Sequence, residues 1–360
     1  MKYRDSRYWR KVWGIEIMIV ILAAGITFYA KPAVQDEPLP KMKYGFIDRT
    51  GQVVISPQFD EAWEFHDGLA RVRSGNKAGY VNKSGQLVVP IQYEIKDMFD
   101  VASFSEGLAP VRIGAKKGYI DKNGKVVISP QFDDAWAFRE GYAHVQSGGK
   151  CGFIDKTGKV VIPYQFGFSS FSFSEGLARV DVNGKGAFID TTGKIVIPPQ
   201  EGYQREFHEG LAVCTYQGKT WYIDKTGKSV INVQFDEAED FHEGLARIRV
   251  GEKYGYIDKT GKTAISPQFA GLDGFNGGNF SEGLVHVKIG EKWGYIDKGG
   301  KIIIKPQFDM VAPFSEGLAG FMMAKKIGYI DKTGKIVIKA NFSYADPFSE
   351  GMAVMGVPAK

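Results

Sequence analysis

Apolar and polar positions along this chain follow one pattern that recurs about every 34 residues. Each copy opens with a short apolar run that ends at an acidic residue, as in Gly118-Tyr119-Ile120-Asp121, and a polar turn with glycine at its fourth position follows. A β-branched run such as Val126-Val127-Ile128 comes next and is broken by proline. Short β-branched and aromatic runs between glycine-containing turns are typical of antiparallel strands. The pattern therefore predicts an all-β chain.

A third apolar run follows another glycine in each copy, as in Gly176-Leu177-Ala178-Arg179-Val180. The copies are spaced by 34, 39, 34, 35, 34, 34, 39 and 34 residues, and such self-similarity indicates a repeat array. We predict nine three-stranded antiparallel meanders over residues 41–357. The aspartate slot, which holds asparagine in the second copy, falls at Asp48, Asn82, Asp121, Asp155, Asp190, Asp224, Asp258, Asp297 and Asp331.

One phenylalanine lies three residues before the second glycine in every copy. Because the same large apolar side chain returns in an otherwise variable segment, we expect it to fill the same buried space each time. The nine residues are Phe65, Phe104, Phe138, Phe173, Phe207, Phe241, Phe280, Phe314 and Phe348.

The order of strands at the two ends leaves two architectures open. The array begins with the first two strands of a meander and ends with the third, Met352-Ala353-Val354. This permutation would let the last strand complete the first sheet, as in propellers. Because nine units exceed the usual number of blades, we predict an open superhelical solenoid, with a closed propeller-like ring as the alternative.

The N-terminal segment differs from the repeats. Residues 1–11 carry five basic residues, and residues 12–30 form an apolar run interrupted only by Glu16. Its length and its basic N-terminal flank predict a transmembrane signal-anchor helix with the repeats outside the cytoplasm. Residues 31–40, with three prolines, are predicted as an extended linker. The alternative is a signal peptide cleaved near Ala23-Ala24-Gly25, which would release a secreted protein.

Charge and cysteine content narrow the possible functions. The net charge is +5, but residues 31–360 hold 41 basic and 39 acidic residues, which gives no case for nucleic acid. Cys151 and Cys214 lie in different slots of different copies, so we expect isolated buried thiols rather than a disulfide or a metal site. We expect no cofactor. Lysines at the turn tips would form one basic edge if the copies stack, although solvated turns alone account for them.

Departures from the repeat point to candidate contact residues. Two copies carry five extra residues before the recurring phenylalanine, and both insertions add an aromatic residue, Phe99 and Phe275. Trp63 and Trp136 lie in the equivalent segments of two other copies. Insertions in one place commonly mark the binding face of an array. We therefore predict that these four residues contact a ligand or partner.

The whole set of motifs resembles the WG repeat family of bacterial proteins, also called KWG. The resemblance rests on Lys-Trp-Gly-Tyr-Ile-Asp at 292–297, the Asp-Lys-x-Gly-Lys turns, the Pro-Gln-Phe motifs and the Glu-Gly-Leu-Ala motifs. The family's tryptophan is present only as Trp293, so it is not a ligand platform repeated along this chain. The family implies an exported or surface-associated β-repeat protein and no shared reaction.

Three functions are compatible with these features. The first is a membrane-anchored, non-catalytic binding or scaffold module for a protein or a cell-envelope glycan. The second is a hydrolase or transferase acting on envelope polymers, although no unique cluster of polar residues stands out along the sequence. The third is a structural spacer. A wide apolar-aromatic groove would favour binding, a narrow polar pocket would favour an enzyme, and a featureless rod would favour the spacer.

Overall fold

The computed structural model describes residues 41–95, 101–167, 171–270 and 278–359. This part of the chain is built of β-strands, which fall into nine antiparallel sheets. The predicted cytoplasmic segment, membrane helix and linker, residues 1–40, lie outside it. Within the described ranges, no helix is long and apolar enough to span a bilayer.

Each sheet is one blade with up to four strands, which we name a, b, c and d in chain order. The bounds of the strands are as follows.

The a strands are β3 (Glu61–His66), β10 (Asp134–Ala135), β14 (Phe173–Ser174), β18 (Tyr203–Gln204), β22 (Glu237–Ala238), β29 (Met310–Val311) and β33 (Tyr344–Ala345). The b strands are β4 (Leu69–Ser74), β7 (Leu108–Ile113), β11 (Tyr142–Ser147), β15 (Leu177–Val182), β19 (Leu211–Tyr216), β23 (Leu245–Val250), β26 (Leu284–Ile289), β30 (Leu318–Met323) and β34 (Met352–Pro358).

The c strands are β1 (Met42–Asp48), β5 (Lys77–Asn82), β8 (Lys116–Asp121), β12 (Lys150–Asp155), β16 (Lys185–Ile189), β20 (Lys219–Asp224), β24 (Lys253–Asp258), β27 (Lys292–Asp297) and β31 (Lys326–Asp331). The d strands are β2 (Val53–Phe59), β6 (Leu87–Glu94), β9 (Val126–Phe132), β13 (Val160–Phe166), β17 (Ile195–Gln200), β21 (Ser229–Phe235), β25 (Thr263–Ala270), β28 (Ile302–Phe308) and β32 (Ile336–Phe342).

The array is a closed ring, so the predicted open solenoid is wrong and the alternative is correct. Strand β34 pairs with β1 over seven consecutive residue pairs, from Met42↔Pro358 to Asp48↔Met352, and also pairs with β33. The sheet that results has the order β2-β1-β34-β33 and becomes blade 9. Blade 1 is β3–β6, and the others follow in chain order. The two chain ends thus complete one blade, and the nine blades form a propeller.

A second difference from the sequence prediction is the fourth strand. Seven of the sheets have four strands because residues before or around the recurring phenylalanine form the a strand, which has two residues in six of these sheets. Blades 2 and 7 have three described strands, and both follow a stretch outside the described residues. A two-residue strand carries little hydrophobic alternation, and the sequence pattern therefore did not reveal it.

The c–d turns form as their sequence predicts. In the first turn, Oδ1 of Asp48 accepts the N–H groups of Thr50 and Gln52 at 2.8 and 3.0 Å, and Gly51 has a left-handed φ of 86°. In seven of the nine c strands a glycine precedes the buried aromatic residue, whereas Ala187 and Trp221 stand there in the other two. A Cβ on Gly294 would lie 2.4 Å from the carbonyl oxygen of Ile304, because the neighbouring d strand is bulged there. This close approach explains the glycine of the Trp293-Gly294 pair.

The recurring phenylalanines are buried, as predicted, and the structure places them between blades. All nine are at most 1% exposed. Each packs edge-on or tilted against an aromatic ring on the c strand of the preceding blade, with ring centroids 4.7–5.1 Å apart. The pair Phe46–Phe65 joins blade 9 to blade 1. One such pair lies at every interface between neighbouring blades. The phenylalanine therefore contributes both to holding the blades together and to filling the face of each sheet.

A ring of carboxylate groups joins neighbouring blades at the same interfaces. The acid before each Gly-Leu-Ala glycine accepts the backbone N–H of the equivalent glycine in the next blade, for example Glu209 from Gly244 at 2.9 Å. Glu350 accepts from Gly68 at 3.0 Å and so extends this ring across the closure. All nine acids have left-handed φ values of 51–56°, which non-glycine residues rarely adopt. We infer that the acid is repeated for assembly and not for chemistry.

Candidate binding site

The a strands lie nearest the axis of the ring. The Ser105 hydroxyl donates to the carbonyl of Phe138 in the next blade, and Ser349 donates to that of Phe65, so neighbouring a segments contact one another around the ring. The Arg139 guanidinium also reaches Glu206, two blades away, at 2.7 Å. Such a contact is possible only where blades converge. We name the described a segments, residues 61–66, 101–105, 134–139, 171–174, 203–208, 237–242, 278–281, 310–315 and 344–349, the axial wall.

The two predicted tryptophans lie on this wall, and each stacks on a buried b-strand side chain. The Arg71 guanidinium lies 3.6 Å from the ring centroid of Trp63. The Trp136 and His144 rings stack at 4.2 Å with an interplanar angle of 19°. Burial lowers the pKa of His144 to about 4, so this imidazole is neutral near pH 7. Both tryptophans remain partly exposed. Their rings are thus held in place with surface left to contact a ligand.

A third stacked group extends the aromatic arc, and the sequence analysis missed it. The Arg179 guanidinium lies between Phe171 and Tyr203, 5.3 and 5.4 Å from their ring centroids. Tyr203 is 51% exposed. Phe171 occupies the slot of Trp63 and Trp136, five residues before the glycine, and that shared position was the available signal.

A charged cluster occupies the wall of blades 3, 5 and 6. Besides the Arg139–Glu206 pair, Arg205 pairs with Glu239 and lies 3.7 Å from Oδ2 of Asp240. Nε2 of His208 is 3.8 Å from the same carboxylate oxygen. Burial raises the pKa of the Asp240 carboxyl, and the positive charge of the neighbouring Arg205 guanidinium opposes this effect. These groups form a compact polar patch that can meet a charged or hydrogen-bonding ligand.

The sequence analysis found no such cluster because its members come from different repeats. Arg139 and Glu206 are 67 residues apart and occupy different slots of the repeat. No local motif brings them together, and only the convergence of a strands at the axis does.

The other two predicted contact residues, Phe99 and Phe275, lie outside the described residues. Their part in a binding site stays a prediction, as does that of Trp63 and Trp136.

The lysine tips do not form a uniform basic edge. The c–d turns and the acid ring lie on one side of the propeller, which we name the turn face. There the first turn lysine of six blades pairs with an acid of the preceding blade, at 3.0–3.3 Å. The pairs are Lys83–Glu350, Lys156–Glu106, Lys225–Glu175, Lys259–Glu209, Lys298–Glu243 and Lys332–Glu282.

The described residues give little support for a metal site or for a reactive thiol. No group of three or more His, Cys, Asp and Glu residues there is placed to hold a metal ion. Cys151 and Cys214 are both free and buried, as expected. Burial raises the pKa of the Cys151 thiol to about 11 and that of the Cys214 thiol to about 12. Neither thiol is therefore an activated nucleophile.

The chain is similar to several solved structures of low sequence identity. The chain is similar to a crystal structure of the eukaryotic initiation factor, with a TM-score of 0.51 and 14% identity over 78% of this chain and 87% of that one. It also matches BamB from Moraxella catarrhalis at a TM-score of 0.44 and 11% identity, over 83% of this chain and 97% of that one. The structure of dihydro-heme d1 dehydrogenase NirN in complex with DHE matches with a TM-score of 0.41 and 10% identity. The match covers 86% of this chain and 74% of that one. Because the sequence identity is only 14%, the similarity to the initiation factor concerns the fold alone.

A search of curated proteins finds no match to this chain. The model of the WG containing repeat, by contrast, matches nine consecutive segments, residues 44–77, 79–116, 118–151, 152–185, 187–219, 222–254, 254–293, 293–326 and 327–355. These segments cover most of the chain and correspond to the nine repeat units of the ring. The chain therefore belongs to the family of WG containing repeat proteins.

Proposed function

We propose that this protein is a non-catalytic binding or scaffold module whose axial wall recognises a protein or a cell-envelope glycan. One observation carries the proposal: a single slot of the axial wall holds aromatic, charged and small residues in different copies. The phenylalanine slot is the same in all nine copies. Two residues earlier, the slot holds Trp63, Ala102, Trp136, Phe171, Arg205, Glu239, Gly278, Ala312 and Asp346.

The chemistry of the wall suits a ligand with both apolar and polar surfaces. Blades 1, 3 and 4 supply the stacked aromatic residues Trp63, Trp136 and Phe171. Blades 5 and 6 supply the ion pairs around Arg205. Sugar rings and peptide side chains use aromatic anchors beside hydrogen-bonding groups, whereas a polyanion would use the lysines and depend steeply on salt.

A pull-down from envelope extract tests this site. The Trp63→Ala/Trp136→Ala variant is expected to lose the partner, because both anchors are removed from one arc. A matched variant with the turn-tip changes Lys228→Gln, Lys262→Gln and Lys301→Gln is expected to keep it. Loss of the partner in the lysine variant alone would reject the axial site and favour a basic edge. Both variants should melt as the wild type does, because the tryptophans are partly exposed and the three lysines are exposed at turn tips.

We further propose that residues 12–30 anchor the ring on the outer side of the cell membrane. The basic flank before this apolar run supports that orientation. Protease added to intact spheroplasts is expected to digest the repeats and to leave an N-terminal fragment in the membrane. Repeats that stay protected would refute the topology. Recovery of the whole ring in the medium would favour the cleaved signal peptide.

A further inference from the structure

One carboxylate on the axial wall makes no hydrogen bond with any described residue. The Asp240 side chain of blade 6 is 19% exposed, and its Oδ1 atom is buried without a partner in the described ranges. Its Oδ2 atom lies 3.7 Å from Nη1 of Arg205 and 3.8 Å from Nε2 of His208, too far for a direct hydrogen bond. Because a largely buried acceptor without a donor is unfavourable, this carboxylate is suited to a donor from outside the chain.

The charges around Asp240 are balanced. Glu206 accepts a hydrogen bond from Arg139 at 2.7 Å, and Glu239 pairs with both Arg205 and Arg247. The cluster thus holds three guanidinium groups and three carboxylates, namely Arg139, Arg205, Arg247, Glu206, Glu239 and Asp240. Because their formal charges cancel, the cluster favours neither a cationic nor an anionic ligand.

The gaps around Oδ2 of Asp240 fit one oxygen atom that both donates and accepts. Two hydrogen bonds of about 2.8 Å can bridge a gap of 3.7 Å. An ammonium group there would lie against the Arg205 guanidinium, and an anion would lie against two carboxylates. A hydroxyl group donates to Asp240 and accepts from Arg205, and the imidazole of His208 offers it a further nitrogen. A water molecule meets the same requirement, and the Asp240 variant below distinguishes it from a ligand.

Aromatic rings adjoin this point of the wall. In consecutive blades 3 to 6, the slot two residues before the recurring phenylalanine holds Trp136, Phe171, Arg205 and Glu239. Tyr203 is 51% exposed and makes an edge contact with Phe171, with ring centroids 6.4 Å apart. A sugar carries hydroxyl groups around its ring and apolar C–H groups on its faces. Such a ring can pack on the aromatic residues while one hydroxyl reaches Asp240.

We propose that the axial wall binds a carbohydrate, with one sugar hydroxyl held between Asp240, Arg205 and His208 and a sugar ring on the aromatic residues of blades 3 to 5. Binding of a sugar at this wall rests on the proposed function, and it selects the glycan from the two partner classes given there. A protein would have to place a hydroxyl side chain at the same point, because backbone N–H groups only donate and backbone carbonyls only accept.

Binding of envelope oligosaccharides to the full-length chain tests the proposal. The probes are short oligosaccharides released enzymatically from envelope glycan and freed of peptide, and the peptides removed from them are titrated separately. Isothermal titration calorimetry gives the Kd. Asp240→Ala is expected to raise the Kd of the oligosaccharide about 10- to 100-fold, because a hydrogen bond to a charged group is lost. Glu252→Ala removes an exposed acid from a hairpin of the same blade and is expected to leave the Kd unchanged.

Oligosaccharides that lack single hydroxyl groups give a second readout, which does not depend on the variant alone. One monodeoxy analogue is expected to bind the wild type about 10- to 100-fold more weakly than the parent sugar does. The same analogue and the parent sugar are expected to bind Asp240→Ala equally, because the group that recognises the hydroxyl is gone. A purely structural effect of the substitution would weaken all the sugars alike. Equal binding of every monodeoxy analogue to the wild type would overturn the proposal.

Three further results would also overturn it. Failure of every oligosaccharide to bind would reject the carbohydrate, and binding of the peptides in the same titrations would keep the wall as a binding site. An unchanged Kd in Asp240→Ala, with loss of binding in Trp63→Ala/Trp136→Ala, would show that water alone fills the gap at Asp240. Oligosaccharide binding that neither variant alters would place the site away from the axial wall and reject the proposed function as well.

Discussion

A chain that ends at Gly351 is expected to lose the cooperative fold of the ring. The deletion removes β34, which supplies the only described strand between β1 and β33 in blade 9. Met352, Val354 and Met355 are each at most 7% exposed, and burial of such a side chain contributes about 1.5–3 kcal/mol. The summed loss of about 4.5–9 kcal/mol approaches the whole stability of many domains. Thermal unfolding and size-exclusion chromatography measure the result.

The matched control for this deletion ends at Pro358 and keeps β34 complete. It should melt with the full-length chain and elute at the same volume. The shorter chain leaves β1 with an unpaired edge, and exposed edge strands promote association. We therefore expect it to aggregate or to elute as a larger species. A cooperative melt within a few degrees of the full-length protein would show that the closure is dispensable.

Phe241→Ala is expected to lower the free energy of unfolding by about 3–5 kcal/mol. Phe241 is 1% exposed, and its ring centroid lies 5.0 Å from that of Tyr222 in the preceding blade. The change removes a large side chain from the seam between blades 5 and 6 and leaves a cavity there. Chemical denaturation gives the energy, and hydrogen exchange locates the damage. Amides of β20 and β23 should lose protection before those of the other blades.

Lys259→Ala is the control for the phenylalanine variant. Its side chain is 44% exposed and pairs with Glu209, and exposed ion pairs contribute about 0–1 kcal/mol. Coincident denaturation curves for Phe241→Ala and Lys259→Ala would refute the assignment of the recurring phenylalanine to the core between blades.

The sequence by itself determined the turns and the repeated core positions, which depend on neighbouring residues, although it did not reveal the short a strands. The turn at Asp48–Gly51 follows from an acid that accepts local N–H groups and a glycine with positive φ. The burial of Phe241 and its eight equivalents follows from the return of one apolar side chain in a fixed slot. The number of units, the all-β class and the buried state of Cys151 and Cys214 could be read in the same way. These features can be read from the sequence because the same residue types return with the period of the repeat.

Only the tertiary structure decided what depends on the curvature of the whole array. A small rotation per repeat separates an open solenoid from a ring, and no single repeat encodes it visibly. The pairing of β1 with β34 joins residues some three hundred positions apart. Closure then brings the a strands together at the axis, where Arg139 meets Glu206. The candidate site could be predicted only as scattered aromatic residues, because convergence at the axis assembles it.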